Sequence, residues 1–162
     1  YLIENIDKIN LGDVNLSSIA NKDNIGLFGH SFGGLTTLEY LMKKDQKAVK
    51  CGIALDVPYF SLDPKKNKSL SSPVLFMNSE FIKLTGSKVK VSGLNEFLQY
   101  HTSKQLNEVN VKGAAHYNFS DLNYTPKMMK LTPMLGTISQ KEAAKVMTYY
   151  LDSYFKAHLK GA

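Results

Sequence analysis

One stretch constrains this chain more than any other: Ile25-Gly26-Leu27-Phe28-Gly29-His30-Ser31-Phe32-Gly33-Gly34. An apolar run ends in Gly-x-Ser-x-Gly, and a helical pattern begins directly behind it. Strand, tight turn, helix is the context of a nucleophile elbow. Such a turn strains the backbone of its serine, so the neighbours must be small. Gly29 and Gly33 flank Ser31, and Gly34 lets the helix lie close to the sheet. The turn presents the Ser31 hydroxyl at the top of the sheet. The helix N-terminus behind it offers unpaired N–H groups and a positive dipole end to a developing oxyanion. The N–H of Phe32, the residue after the serine, is the expected oxyanion-hole donor. A second donor is expected from a loop between earlier strands, which would lie upstream of Tyr1.

The rest of the chain reads as strands alternating with helices. Residues 1–10 place Leu2, Ile3, Ile6 and Ile9 on one helical face. Residues 11–23 are polar and loop-like, with a short turn of helix around Leu16 to Ala20. Asn24 to His30 is the first strand, and its almost continuous apolar character predicts cover on both faces. Phe32 to Lys44 is a helix with Leu35, Leu38, Leu41 and Met42 toward the sheet. Lys50 to Asp56 is a second strand that ends on an acid. Residues 57–72 form a polar connection. Pro73 to Asn78 is a third strand, followed by Ser79-Glu80. Residues 82–92 read as loop and Leu94 to His101 as helix. Leu106 to Lys112 is a fourth strand, with Gly113 to His116 as its exit loop. Residues 117–138 are irregular. Ser139-Gln140-Lys141-Glu142 is a capping-box pattern that opens the last helix. Met147, Leu151, Tyr154, Phe155 and His158 form its apolar stripe, and Gly161 stops it.

This alternation predicts an α/β fold with a mostly parallel sheet flanked by helices, in one domain spanning residues 1–162. Functional groups of such sheets collect at the carboxyl ends of the strands. Ser31, Asp56 and His116 stand at strand exits, and Glu80 lies just past the third strand. A serine needs a base to take its proton, and the base needs a third group to hold it. Histidine is the suitable base near neutral pH. Of the four histidines, His30 lies beside the serine and points elsewhere on the turn. His101 sits on a helix face, and His158 lies in the last turn of the final helix. His116 follows a strand directly, among small residues that let it reach back. Asp56 and Glu80 both precede it, so both satisfy the order serine, acid, histidine. Position in the fold favours Glu80, because the acid commonly follows that strand. Reach favours Asp56, which ends the strand next to the serine strand.

Four segments taken together resemble the platelet-activating factor acetylhydrolases, the plasma-type and type II lipases of the α/β-hydrolase fold. They are Gly29-His30-Ser31-Phe32-Gly33-Gly34, Cys51-Gly52-Ile53-Ala54-Leu55-Asp56, Asn78-Ser79-Glu80 and His116-Tyr117-Asn118-Phe119-Ser120-Asp121. The resemblance runs from about Ile25 to the C-terminus. It implies a calcium-independent, phospholipase A2-like serine esterase that removes a short or oxidised acyl chain from a phospholipid. It implies Ser31 as nucleophile, His116 as base and Asp56 as acid. The sequence itself shows no Cys/His cluster at metal-ligand spacing and no Walker or dinucleotide glycine pattern, so no metal and no cofactor is expected. It also implies that the first strands of the fold are missing, which would leave the serine strand at an unpaired edge. Residues 1–162 made alone are therefore expected to be inactive or poorly folded. Val57-Pro58-Tyr59 departs from the family, replacing a more aromatic stretch close to the expected substrate position. General carboxylesterases and polyester hydrolases of the same fold share the pattern, and a non-catalytic binding domain of this fold is the third reading.

Composition adds limits. No apolar run approaches the roughly 18 residues of a membrane span. Cys51 is the one cysteine, so no internal disulfide forms, and its apolar setting fits a packing role. Most of the net charge of +6 comes from scattered lysines, which fit solvated faces. Basic and aromatic residues do not interleave as in nucleic-acid-binding surfaces. Residues 119–135 are rich in Met, Leu, Phe and Tyr. There Met128, Met129, Leu131 and Met134, beside Lys127 and Lys130, suit contact with an anionic lipid surface. The chain opens on Tyr1 rather than Met, so localisation is not legible in it.

Overall fold

The computed structural model describes residues 2–15, 18–43, 47–59, 70, 72–81, 106–124 and 135–160. Its centre is a four-stranded, wholly parallel sheet in the order β3-β4-β5-β6, made of β3 (Ile25–His30), β4 (Val49–Leu55), β5 (Val74–Phe81) and β6 (Leu106–Ala115). Helix α2 (Phe32–Leu41) follows β3, and helix α3 (Gln140–Leu159) closes the described chain. Before the sheet come a single helical turn, α1 (Leu2–Asn5), a 3-10 turn (Ile6–Lys8), and a small antiparallel ribbon of β1 (Asn10–Leu11) and β2 (Val14–Asn15). The ribbon replaces part of the expected loop.

The two helices lie on opposite faces, and the strands sort their side chains accordingly. Successive strand residues point to opposite sides. Ala54, Val74 and Phe76 join Leu35, Leu38 and Leu41 of α2 in one apolar cluster. Cys51, Ile53, Leu55, Leu75 and Met77 join Tyr154 and Phe119 in the other, against which Met147, Leu151 and Phe155 of α3 pack. Strand β4 and the first half of β5, Val74 to Met77, are apolar at nearly every position because both of their faces are covered. Leu38, Leu41, Ile53 and Phe76 are fully buried, each contributing about 1.5–3 kcal/mol by removal from water. Burial also pushes the Cys51 thiol up to about 11, which keeps it protonated and inert.

Several expected boundaries shift. Strand β3 has one strand neighbour among the described residues, and its cover on the α3 side is partial, with Phe28 59% exposed. Strand β5 runs on through Glu80 to Phe81, and β6 runs on through Gly113 to Ala115. The two extensions pair with each other, Phe81 opposite Ala115, beyond a register irregularity between Ser79 and Phe81. Gly113, with φ +75°, supplies the left-handed residue this irregularity requires. Helix α3 begins as expected: the Ser139 hydroxyl accepts from the Glu142 N–H at 3.2 Å. The expected loop over 82–92 and helix over Leu94 to His101 lie outside the described residues.

Candidate active site

All four strands run in the same direction, so their exits share one edge of the sheet. Register then decides which exits are adjacent. His30 pairs with Leu55 and Leu55 with Met77, which puts Ser31 and Asp56 one step beyond neighbouring strand ends. The Ser31 N–H donates to the Leu55 carbonyl at 2.9 Å, and the Asp56 N–H donates to the Met77 carbonyl at 2.7 Å. Each exit is thus tied to the next strand.

Ser31 has φ 58° and ψ −123°, a conformation that non-glycine residues rarely adopt. Holding it costs about 1–3 kcal/mol, which the surrounding packing must supply. The packing is close: a Cβ on Gly29 would collide with the carbonyl of Gly33, and one on Gly34 would stand 2.8 Å from the Gly29 oxygen. These small residues bring α2 directly under the turn. Phe32 is the first residue of α2, so its N–H is one of the first-turn amides that lack an intrahelical acceptor. Its side chain is exposed.

Asp56 is the second non-glycine residue with positive φ, at 45°. This turn points its buried carboxylate across the sheet edge. One oxygen, Oδ1, accepts the Ser79 N–H at 2.8 Å. The other, Oδ2, lies 2.7 Å from His116 Nδ1. A hydrogen on Nδ1 directed at that carboxylate leaves Nε2 as the free basic nitrogen of the ring. Glu80 sits apart from this pair. Its Oε2 accepts the Gly113 N–H at 2.7 Å, so it stitches the extended ends of β5 and β6.

His116 opens a 3-10 turn, His116–Phe119, that leaves β6 at once. The turn is fixed by Asn118, which is buried. Its Oδ1 accepts from the N–H groups of Ala115 and Gly136, both at 2.8 Å. Its Nδ2 donates to Asn123 Oδ1 at 2.9 Å, and Asn123 in turn exchanges hydrogen bonds with Gln140 at the start of α3. Sequence reasoning did not single out Asn118 or Asn123. Their signal was an asparagine two residues after the histidine, in a stretch otherwise built for packing.

His30 differs most from its expected place. It does not point away from the site: its ring lies 4.4 Å from that of His116, inclined at 41°, and stacks on Phe119 at 6.2 Å. Desolvation, then the His116 charge, hold its pKa below the ordinary histidine value, so it is neutral near pH 7. His158 packs against Tyr154 at 4.4 Å, far along α3, and His101 lies outside the described residues. Val57 and Tyr59 are buried in the cluster beneath α2, and the Tyr59 hydroxyl donates to Asn78 Oδ1 at 3.1 Å. They are core residues rather than the substrate-lining ones expected for this departure from the family. Among the described residues no group of three or more His, Cys, Asp or Glu side chains is placed to hold a metal ion.

Comparison with known proteins gives the chain its family and its fold. Residues 5–160 match the family described as platelet-activating factor acetylhydrolase, isoform II. The platelet-activating factor acetylhydrolase of Canis lupus familiaris is 31% identical over 123 residues, covering 76% of this chain and 26% of that protein. The one from Cavia porcellus is 29% identical over 122 residues, covering 75% of this chain and 26% of that protein. The chain therefore spans about a quarter of the length of these relatives. In backbone it is similar to an acylaminoacyl peptidase solved with Z-Gly-Gly-Phe-chloromethyl ketone, at a TM-score of 0.52 and 16% identity, covering 91% of this chain and 26% of that one. That likeness concerns the fold, which is that of the α/β-hydrolases. With the match running through nearly all of its length, the chain belongs to the platelet-activating factor acetylhydrolase isoform II family.

Proposed function

We propose that this chain carries the nucleophile, acid and base of a serine ester hydrolase that removes a short or oxidised acyl chain from a phospholipid. Ser31 Oγ attacks the ester carbonyl carbon while His116 Nε2 takes its proton. Asp56 holds the Nδ1–H and stabilises the imidazolium that forms. The Phe32 N–H donates to the oxyanion, at the positive end of α2. The carbon–oxygen bond to the lysophospholipid then breaks, and His116 returns the proton to the leaving oxygen. Water, deprotonated by the same histidine, hydrolyses the acyl-enzyme and releases the acid. No step draws on calcium.

The single observation that carries this reading is the 2.7 Å contact between Asp56 Oδ2 and His116 Nδ1, one strand from the strained Ser31. The relatives' printed name supports the substrate class. We read residues 1–162 as the C-terminal portion of the fold, with further strands pairing onto β3. The single strand neighbour of β3 among the described residues and its exposed Phe28 support that, as does the greater length of the relatives. Contact with a lipid surface through 119–135 belongs to the same reading. Leu122 and Tyr124, at the start of that stretch, are exposed, whereas residues 125–134 lie outside the described part.

The substrate is tested with the full-length protein on phosphatidylcholines bearing acetyl or palmitoyl at the second position, in a calcium chelator. Release of acetate at an undiminished rate, with little release of palmitate, is the expected result. Turnover of simple soluble esters without either phospholipid would replace this reading by that of a general carboxylesterase.

A further inference from the structure

The residue before the nucleophile lies on the face of the sheet that α3 covers. Ile25 and Leu27 pack toward α2, so strand alternation turns Phe28 and His30 to the α3 side. Phe28 meets Phe155 there, edge to face at 6.2 Å. His30 meets the turn that leaves β6: His116 at 4.4 Å and Phe119 at 6.2 Å, the latter nearly parallel at 21°. Phe119 is itself buried, at 5% exposure, so it is a fixed wall. His116 is less confined. Its side chain keeps 24% exposure, and its hydrogen bond to Asp56 fixes only one edge of the ring. Among the described residues, Tyr117 is the other ring beside it, at 5.7 Å. The His30 Nε2 is buried and has no hydrogen-bond partner among the described residues, so the ring is not held there for a bond at that atom.

We propose that His30 is a positioning residue for His116: its ring, wedged between His116 and Phe119, holds the imidazole in plane with Asp56 and keeps it from swinging out toward solvent. The inference rests on the reading of His116 as the base. It makes the elbow serve two purposes through adjacent residues, since one strand end delivers the serine and also the wall behind its base. The wall must also be uncharged, because a second positive charge at 4.4 Å would oppose the imidazolium that forms on His116 during attack. The groups that face His30 are His116 and Phe119 from the turn after β6 and Asp56 from the end of β4. Burial and the His116 charge act to keep the ring neutral, against the opposing pulls of Asp56 and of the ring's hydrogen bond to the His116 backbone. Phenylalanine offers the same flat, neutral surface without the ring's hydrogen bond to the His116 backbone, so it isolates the contribution of the stacked ring.

The test uses the full-length protein and a soluble ester. His30→Ala is expected to lower kcat about 10- to 100-fold with KM within about twofold, since a base displaced by an ångström loses rate rather than binding. His30→Phe is expected to restore kcat to within about threefold of the parent. Wild-type kcat in His30→Ala, or equal losses in the Ala and Phe variants, would overturn the proposal. Should His30→Ala fail to fold, Phe119→Leu slackens the far side of the same ring. It is expected to lower kcat severalfold at constant KM, and an unchanged kcat there would overturn the proposal equally. His116→Ala, measured in parallel, separates the two levels. If it keeps near-parental turnover, the assignment of the base has failed. If it is inert while His30→Ala matches the parent, only the role of His30 has failed.

Discussion

Replacing Ser31 by alanine in the full-length protein is expected to lower kcat for ester hydrolysis roughly a million-fold. The elbow has only one use for its strain. A residue at φ 58° and ψ −123° is costly, and Gly29 and Gly34 are arranged so that the turn can be this tight, whereas a Cβ on Gly33 would meet open space. Alanine keeps the Cβ and the backbone hydrogen bond to Leu55, so the sheet and α2 should be unaffected. What disappears is the oxygen that forms the acyl bond. Because nucleophile, base and acid act as a unit, removing this one member removes nearly all they supply together. Steady-state kinetics on a soluble ester, with circular dichroism to confirm the fold, measures the loss. Retention of a tenth of parental kcat would show that another group is the nucleophile.

Asp56→Asn is expected to cost about 10⁴-fold in kcat, and Glu80→Gln less than about tenfold. The two carboxylates have different employment. Asp56 gives Oδ1 to the Ser79 N–H and Oδ2 to His116 Nδ1, so an amide in its place can present its NH₂ to His116 and favour the wrong tautomer. Asparagine also tolerates positive φ, so the turn at 45° survives the change. Glu80 accepts one backbone N–H, from Gly113, and glutamine keeps an oxygen for it. The comparison discriminates sharply, because both acids stand in the order that sequence allows. A larger loss in Glu80→Gln than in Asp56→Asn would contradict the assignment of the acid.

Much of this was legible without coordinates, for local reasons. The strand, turn and helix around Ser31 follow from an apolar run, three glycines and a helical stripe, all within one short stretch. Helix α3 follows from Ser139, Glu142 and the spacing of Met147, Leu151 and Phe155. The order of Ser31, Asp56 and His116 follows from parallel strands, which send all exits to one edge. What was not legible depends on pairing between distant segments. The sequence around Glu80 and Gly113 reads as two loops, and only their mutual pairing turns both into strand. Position favoured Glu80 as the acid on the assumption that it lay beyond its strand. Its place within β5, bonded to β6, removes that argument. His30 reads as pointing elsewhere on the turn because a lone residue gives no sign of which ring it meets across the sheet. The roles of Asn118 and Asn123 require Gly136 and Gln140 to come near, from well along the chain. Phe28 reads as a covered residue because an apolar strand looks the same at an edge as in the middle.

The central claim is that Ser31 is a nucleophile activated by His116. Covalent labelling of the full-length protein with a fluorophosphonate, followed by peptide mapping, addresses it most directly. The account predicts one adduct, on Ser31, formed quickly in the parent and lost in His116→Ala. An adduct on a different serine, or no adduct in a folded protein, would contradict it.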